Sequence, residues 1–154
     1  MIRLTADEAW DAIESAHTGI LTTLRRDGRP VTLPVWFVVE DRTIVIMTPA
    51  GTKKIARVVN DPRASFLVES GERWVDLIGV HLSGRVEIVN GEAAIGRLDA
   101  AVNAKYAAFR PSLSGLPEKT QKYYAKNVFL RFVPEGKILT WDNARIAQRV
   151  RERS

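Results

Sequence analysis

"TGILTTLRRDGRPVTLPVWFVVE", residues 18–40, decides the fold. Two β-rich runs flank Asp27-Gly28, a dipeptide that favours the turn of a two-residue hairpin. In the second run Val31, Leu33, Val35, Phe37 and Val39 alternate with Thr32, Pro34 and Trp36. One face is therefore expected in a core and the other outside it. Proline has no N–H to donate, so Pro34 places this strand at a sheet edge or where a ligand replaces a neighbouring strand.

Before the hairpin, Thr5 with Glu8 forms a capping-box pattern, and Ala9, Ile13 and Ala16 share one face of the helix that follows. After it, Asp41-Arg42 turns the chain into a strand over 43–48 that ends at Thr48-Pro49. The chain turns again at Gly51, and a short helix starts at Thr52. "RASFLVE" is the next strand, and "WVDLIGVHLSGRVEIV", residues 74–89, is the longest strand signal, interrupted by Gly79 and Gly84. Residues 91–108 and 117–126 read as helices around the loop "RPSLSGLP". "NVFLRFVP" and "KILTWD" read as two closing strands, and the tail reads as a basic helix over 143–154. Six or seven strands wound mostly by hairpins, with a few peripheral helices, make a mainly β chain and a small barrel. The 154 residues are expected to form one domain, 1–154.

There is no cysteine, which removes disulfides and thiolate chemistry and fits a reducing cytoplasm. The N-terminus carries early acids in place of the apolar run of a signal peptide, and no window has the length of a membrane span. A cytoplasmic protein is expected. Net charge is +5, of which the arginine-rich tail from Ala144 supplies +3. The body alone carries too little positive charge to demand nucleic acid, so only the tail is a candidate for that partner.

The strongest chemical signal is "TKKIARVV", residues 52–59. Ile55, Val58 and Val59 point one way on a helical wheel, and Lys53, Lys54 and Arg57 the other. Cations in the first turn oppose the helix dipole. The basic face is either a solvated surface or, with the Thr52 hydroxyl and the open N–H groups, an anion site. Trp36, beside Thr32 and Pro34, is either a cover for a second sheet or subunit, or a platform for a flat ring. His17 and His81 have no metal-spaced partners, so no metal is expected. G-x-S-x-G, Walker and G-x-G-x-x-G patterns are all missing, which removes the classical hydrolase, P-loop and Rossmann readings. Tyr123 and Tyr124 are expected to pack in the interior, with a place near a ligand pocket as the alternative for either.

Taken in order, "GILTTLRRDGRPVTLPVWFVVEDRTIVIMTPAGTKKIARVVNDPRASFLVE", "GVHLSGRVEIV" and "LRFVPEGKILTWDNARI" resemble the split β-barrel flavin and deazaflavin oxidoreductases of the pyridoxamine 5'-phosphate oxidase-like superfamily. The ending is similar to that of its coenzyme F420-dependent branch. The resemblance implies a six-stranded, FMN-binding-like split barrel that forms a homodimer with cofactor sites at the interface. It implies an oxidoreductase transferring a hydride between coenzyme F420 or FMN and a small conjugated or quinone-like substrate. A non-catalytic flavin carrier would need the same pocket. The family's S/T-x-K phosphate motif maps to Thr52 and Lys54, after Met47 and Thr48, with Lys53 and Arg57 beside it. The ring's usual place on the second strand maps to Thr32, Pro34 and Trp36. Trp74 maps near residues that reach the partner subunit's cofactor. Arginine outnumbers lysine 16 to 7, a GC-rich bias that, with basic residues available for an anionic tail, favours the deazaflavin. The ending "WDNARIAQRVRERS" lacks the substrate motif and terminal proline of true pyridoxamine-phosphate oxidases, so vitamin B6 oxidation is not expected.

Overall fold

In the computed structural model, which describes residues 2–153, the hairpin at Asp27-Gly28 joins strands β1 (Gly19–Leu24) and β2 (Pro30–Val35). Gly28 adopts φ +83°, the left-handed conformation that its turn position requires. The chain then breaks for one residue, Trp36, and continues as β3 (Phe37–Glu40). Asp41 and Arg42, both at positive φ, turn it into β4 (Thr43–Pro49). Helix α2 (Lys53–Asn60) leads to β5 (Arg63–Ser70), and β6 (Ile78–Ile88) follows a 3-10 turn over Trp74–Asp76. An excursion containing α3 (Glu92–Tyr106) and α4 (Glu118–Tyr124) precedes β7 (Asn127–Asp142). Helices α1 (Ala6–Ser15) and α5 (Ala144–Glu152) stand at the two ends. Met1 and Ser154, the ends of the expected domain, lie outside the described residues.

All strand pairs are antiparallel, in the order β2-β1-β5-β6-β7-β4-β3. β2 and β3 are therefore the two edges of one sheet, yet only Trp36 separates them in the chain. That covalent link forces the sheet to curl until its edges meet, without hydrogen bonds between them. The result is a split barrel of seven strands, not six. The second run of the opening hairpin counts twice because it bends at Trp36. The two closing strands are one, β7, bent at Gly136 (φ +73°) where its register against β6 shifts between His81 and Ser83.

Two cores follow from this curl. Inside it, Phe37, Ile44, Ile46, Phe66, Val80, Leu130 and Phe132 pack together, closed by Ala9, Trp10 and Ile13 of α1 and Val58 of α2. Outside it, Val38, Val45 and Phe129 meet Leu98, Val102 and Tyr106 of α3. Alternation along β3 and β4 feeds both layers, which is why their side chains are buried on both faces. Three sequence expectations change here. Leu33 is 43% exposed because edge strand β2 has no covering layer, and Val59 is 67% exposed because α2 buries only its Ile55–Val58 side. Trp74 to Asp76 form the 3-10 turn and are not part of β6.

The capping box at Thr5 is made reciprocally, Thr5 N–H donating to Glu8 at 2.7 Å and Glu8 N–H to Thr5 Oγ1 at 3.2 Å. Arg145 ties the tail down by donating to Glu8 (2.6 Å), Asp142 (3.1 Å) and the Arg3 carbonyl (2.9 Å). Glu40, at the end of β3, accepts from Arg97 of α3 and Arg131 of β7, each at 2.7 Å. The bonds from Arg97 and then Arg131 lower its pKa from 4.5 to about 2. A depressed folded-state pKa contributes stability that is present above the unfolded value and disappears as the folded pKa is approached. Urea denaturation of Glu40→Gln is therefore expected to show a deficit against wild type at neutral pH. That deficit narrows as pH falls from 4.5 towards 2; a deficit constant across that window would refute the assignment.

Candidate functional site

Strand alternation in β4 sends Ile44 and Ile46 inward, and Thr48 with them, fully buried. The Thr48 hydroxyl lies 3.0 Å from that of Thr52, the N-cap of α2. Engaged there, Thr52 makes no side-chain cap to the helix. The first N–H groups of α2 therefore lack that usual acceptor. No acidic residue occupies this first turn.

Lys53 is exposed, whereas Lys54 and Arg57 are half-buried. Arg57 Nε donates at 2.8 Å to Thr23 Oγ1 on β1, and Thr23 is 1% exposed. Burial lowers the pKa of Lys54, and the neighbouring charge of Arg57 lowers it further. Burial likewise lowers that of Arg57, with Arg25 of the β1–β2 hairpin as the second cause. Among the described residues, no carboxylate forms an ion pair with Arg25, Lys53, Lys54 or Arg57. The start of α2 is thus a concentration of partly desolvated positive charge without a counter-charge.

The opposite face of β4 lines a different feature. Met47 and Pro49 open onto a pocket of about 490 Å³ that Trp36 also lines. The indole is stacked on Tyr106, with ring centroids 4.3 Å apart and planes 7° from parallel. Tyr106 is itself fixed. Its hydroxyl accepts from Phe37 N–H at 2.9 Å, and its proton lies within reach of the carbonyls of His17 (2.7 Å) and Phe37 (2.8 Å). The far wall comes from the excursion between β6 and β7, with Arg110, Leu113, Leu116 and Tyr124. Asn127 completes it, and its Oδ1 is buried without a hydrogen-bond partner among the described residues.

The candidate residues therefore fall into separate places. Thr48, Thr52, Lys53, Lys54 and Arg57 gather at α2, whereas Trp36 and Met47 face the pocket behind β4. Thr32 is on the edge strand, its hydroxyl 2.9 Å from that of Thr22, and Pro34 is exposed beside it. Trp74 lines neither described pocket and is 60% exposed. Tyr123 and Tyr124 are 49% and 42% exposed, contrary to the expected interior packing, because α4 lies on the surface; Tyr124 instead lines the pocket, the alternative place. Thr23, Arg25, Tyr106, Arg110 and Asn127 were not singled out from sequence. Only Thr23 carried a local signal, a hydroxyl at a core-facing strand position that must find a donor or acceptor. No cluster of three potential metal ligands occurs among the described residues, and no helix there is long and apolar enough to cross a membrane.

Residues 5–136 match the family model described as pyridoxamine 5'-phosphate oxidase. The chain belongs to that family. No curated protein matches it. Among solved structures it is similar to the conserved hypothetical protein Rv2991 from Mycobacterium tuberculosis, with TM-score 0.80 and 29% identity over 95% of this chain and 89% of that one. The FAD binding protein from Mycobacterium smegmatis shares the fold at TM-score 0.62 and 24% identity, covering 90% of this chain and 93% of that one. HutZ, the haem storage protein from Vibrio cholerae, shares it at TM-score 0.69 and 12% identity, covering 90% and 97%. Within the pyridoxamine 5'-phosphate oxidase family fold, Tyr106 sets the bend at Trp36 here. Tyr106→Phe leaves the buried Phe37 N–H without its side-chain acceptor. It is expected to lower unfolding free energy by about 1–3 kcal/mol in urea titration, the usual cost of an unmade buried hydrogen bond.

Proposed function

We propose that the chain holds the phosphate of a flavin-type cofactor at the start of α2. It acts there as an oxidoreductase, passing a hydride between the bound ring and a small conjugated or quinone-like substrate. The observation that carries this reading is the basic cluster of Lys54, Arg57 and Arg25, half-buried in part and without a carboxylate partner among the described residues. Desolvating cations without an anion costs free energy, and a phosphate reverses the sign of the local electrostatics. Thr52 and Lys54 bind the phosphate beside the open N–H groups of α2, and Thr48 orients Thr52. Lys53 and Arg57 supply the surrounding field, Arg57 being held by Thr23. Thr32 and Pro34 of β2 would hold the ring, with Trp36 and Met47 at its edge next to the pocket behind β4. When bound, the cofactor supplies the hydride chemistry, while the chain binds, orients and shields it. Coenzyme F420 is favoured over FMN, since Arg25 extends the positive field beyond one phosphate towards further anions.

The outer sheet face supports a homodimer as the working unit. In register across β2, β1, β5, β6 and β7 lie Pro34, Ile20, Leu67, His81 and Leu139, none of which belongs to either core. Leu139 is 60% exposed, and Trp141 beside it 36%. His81 Nδ1, in the same row, is buried without a hydrogen-bond partner among the described residues. A contiguous apolar face of this kind is characteristic of a protein–protein contact. Trp74 then reaches the cofactor held by the partner copy.

Titration with FMN and with coenzyme F420 tests the phosphate site. Lys54→Ala is expected to weaken binding by about 1.5–3 kcal/mol, the range for a hydrogen bond to a charged group. Unchanged affinity would remove Lys54 from the site. Light scattering tests the assembly: wild type is expected at twice the chain mass and Leu139→Asp at the monomer mass. A wild-type monomer would refute the dimer.

A further inference from the structure

The pocket behind β4 is separate from the basic cluster, and its composition identifies what it takes. Its volume of about 490 Å³ lies within the usual range for small-molecule sites. The walls are rigid and flat: Trp36 is clamped by Tyr106, and Pro49 and Pro111 face it from two segments. Met47, Leu113 and Leu116 make the lining apolar. Arg110 is the one formally charged residue among those lining it, and it forms no ion pair among the described residues. Its guanidinium donates one bond to Asn103, leaving donors of the planar fork for an acid. No lysine lines the pocket, so it offers a single positive charge, matched to a monoanion rather than to a phosphate dianion.

We infer that this pocket binds a flat, conjugated apolar acid, with its ring system against Trp36 and its carboxylate on Arg110. Asn127, whose Oδ1 is buried without a hydrogen-bond partner among the described residues, is a further polar side chain at that wall. Occupancy of the pocket needs no cofactor; its role as the place of the electron partner rests on the flavin reading above. Of the residues assigned to the cofactor, Trp36 and Met47 line it and those assigned to the phosphate do not, so the phosphate site and this pocket are separable by mutation.

Naphthalene-2-carboxylate and its uncharged counterpart naphthalene-2-carboxamide are the probes, followed by quenching of tryptophan fluorescence in the full chain without added cofactor. Wild type is expected to bind the carboxylate about tenfold more tightly than the amide, the worth of one charge-assisted pair. Arg110→Met is expected to bring the two probes within about twofold of each other, and Arg110→Lys to restore part of the preference. Leu116→Asp weakens both probes. Lys54→Ala leaves both unchanged, while flavin affinity in that variant reports on the phosphate site alone. Equal affinities in wild type, absence of saturable binding, or a preference that persists in Arg110→Met would overturn the inference. Should Arg110→Met fail to fold by thermal melting, the wild-type comparison and Arg110→Lys decide it.

Discussion

The structure depends on one covalent constraint: residues 30–40 are a single run of chain that supplies both edges of the sheet. Trp36 is its pivot. Any flat arrangement would leave β2 and β3 on opposite sides of the molecule, so the sheet curls until they adjoin. The pivot is locked from outside by Tyr106, whose ring stacks on the indole and whose hydroxyl engages the backbone at Phe37. Stacking of this kind contributes about 0.5–1.5 kcal/mol beyond area burial. The larger effect is positional, because α3 can seat only where the bend presents Trp36 to it.

With closure set, β4 becomes the wall between two chemistries. Its alternation puts Thr48 on the inner side, oriented towards Thr52, and Met47 and Pro49 on the outer side, in the apolar pocket. A one-residue slip of β4 against β7 would exchange the polar and apolar positions, so the Met47↔Phe129 and Thr48↔Val128 register specifies both places at once. Glu40 reinforces the arrangement by joining β3 to α3 and β7 through its two arginines.

Much of this was legible in the sequence because it is local. The capping box, the Asp27-Gly28 turn, the alternation in β3 and the amphipathic α2 depend on neighbours within a few residues. The strand count was not, since a bend at Trp36 and the fusion of two runs into β7 are set by closure across the whole sheet. Leu33 and Val59 misled for the same reason: a pattern shows which side chains share a face, but not whether another layer covers it. At α2, Lys53 and Lys54 stood out through their conflict with the helix dipole, and Arg57 through its place on the same basic face. Arg25 and Thr23, almost thirty residues or more from Lys54, could be joined to them only by the fold. Arg110 and Asn127 had no local signature, because the pocket that gives them meaning is assembled from three separate segments.

The excursion over residues 92–126 enters and leaves the barrel between adjacent strands, β6 and β7. Lengthening such a connection costs little, since closure entropy grows only with the logarithm of loop length. It contributes Arg110, Leu113 and Leu116 to the outer pocket and nothing to strand pairing within the sheet. Because α3 also builds the outer core through Leu98, Val102 and Tyr106, it is the part after it, residues 107–126, that can be redrawn by substitution or insertion while the barrel and its basic cluster stay fixed. In that later part, choice of ligand is encoded apart from the residues that stabilise the fold, which leaves the first free to evolve at little expense to the second.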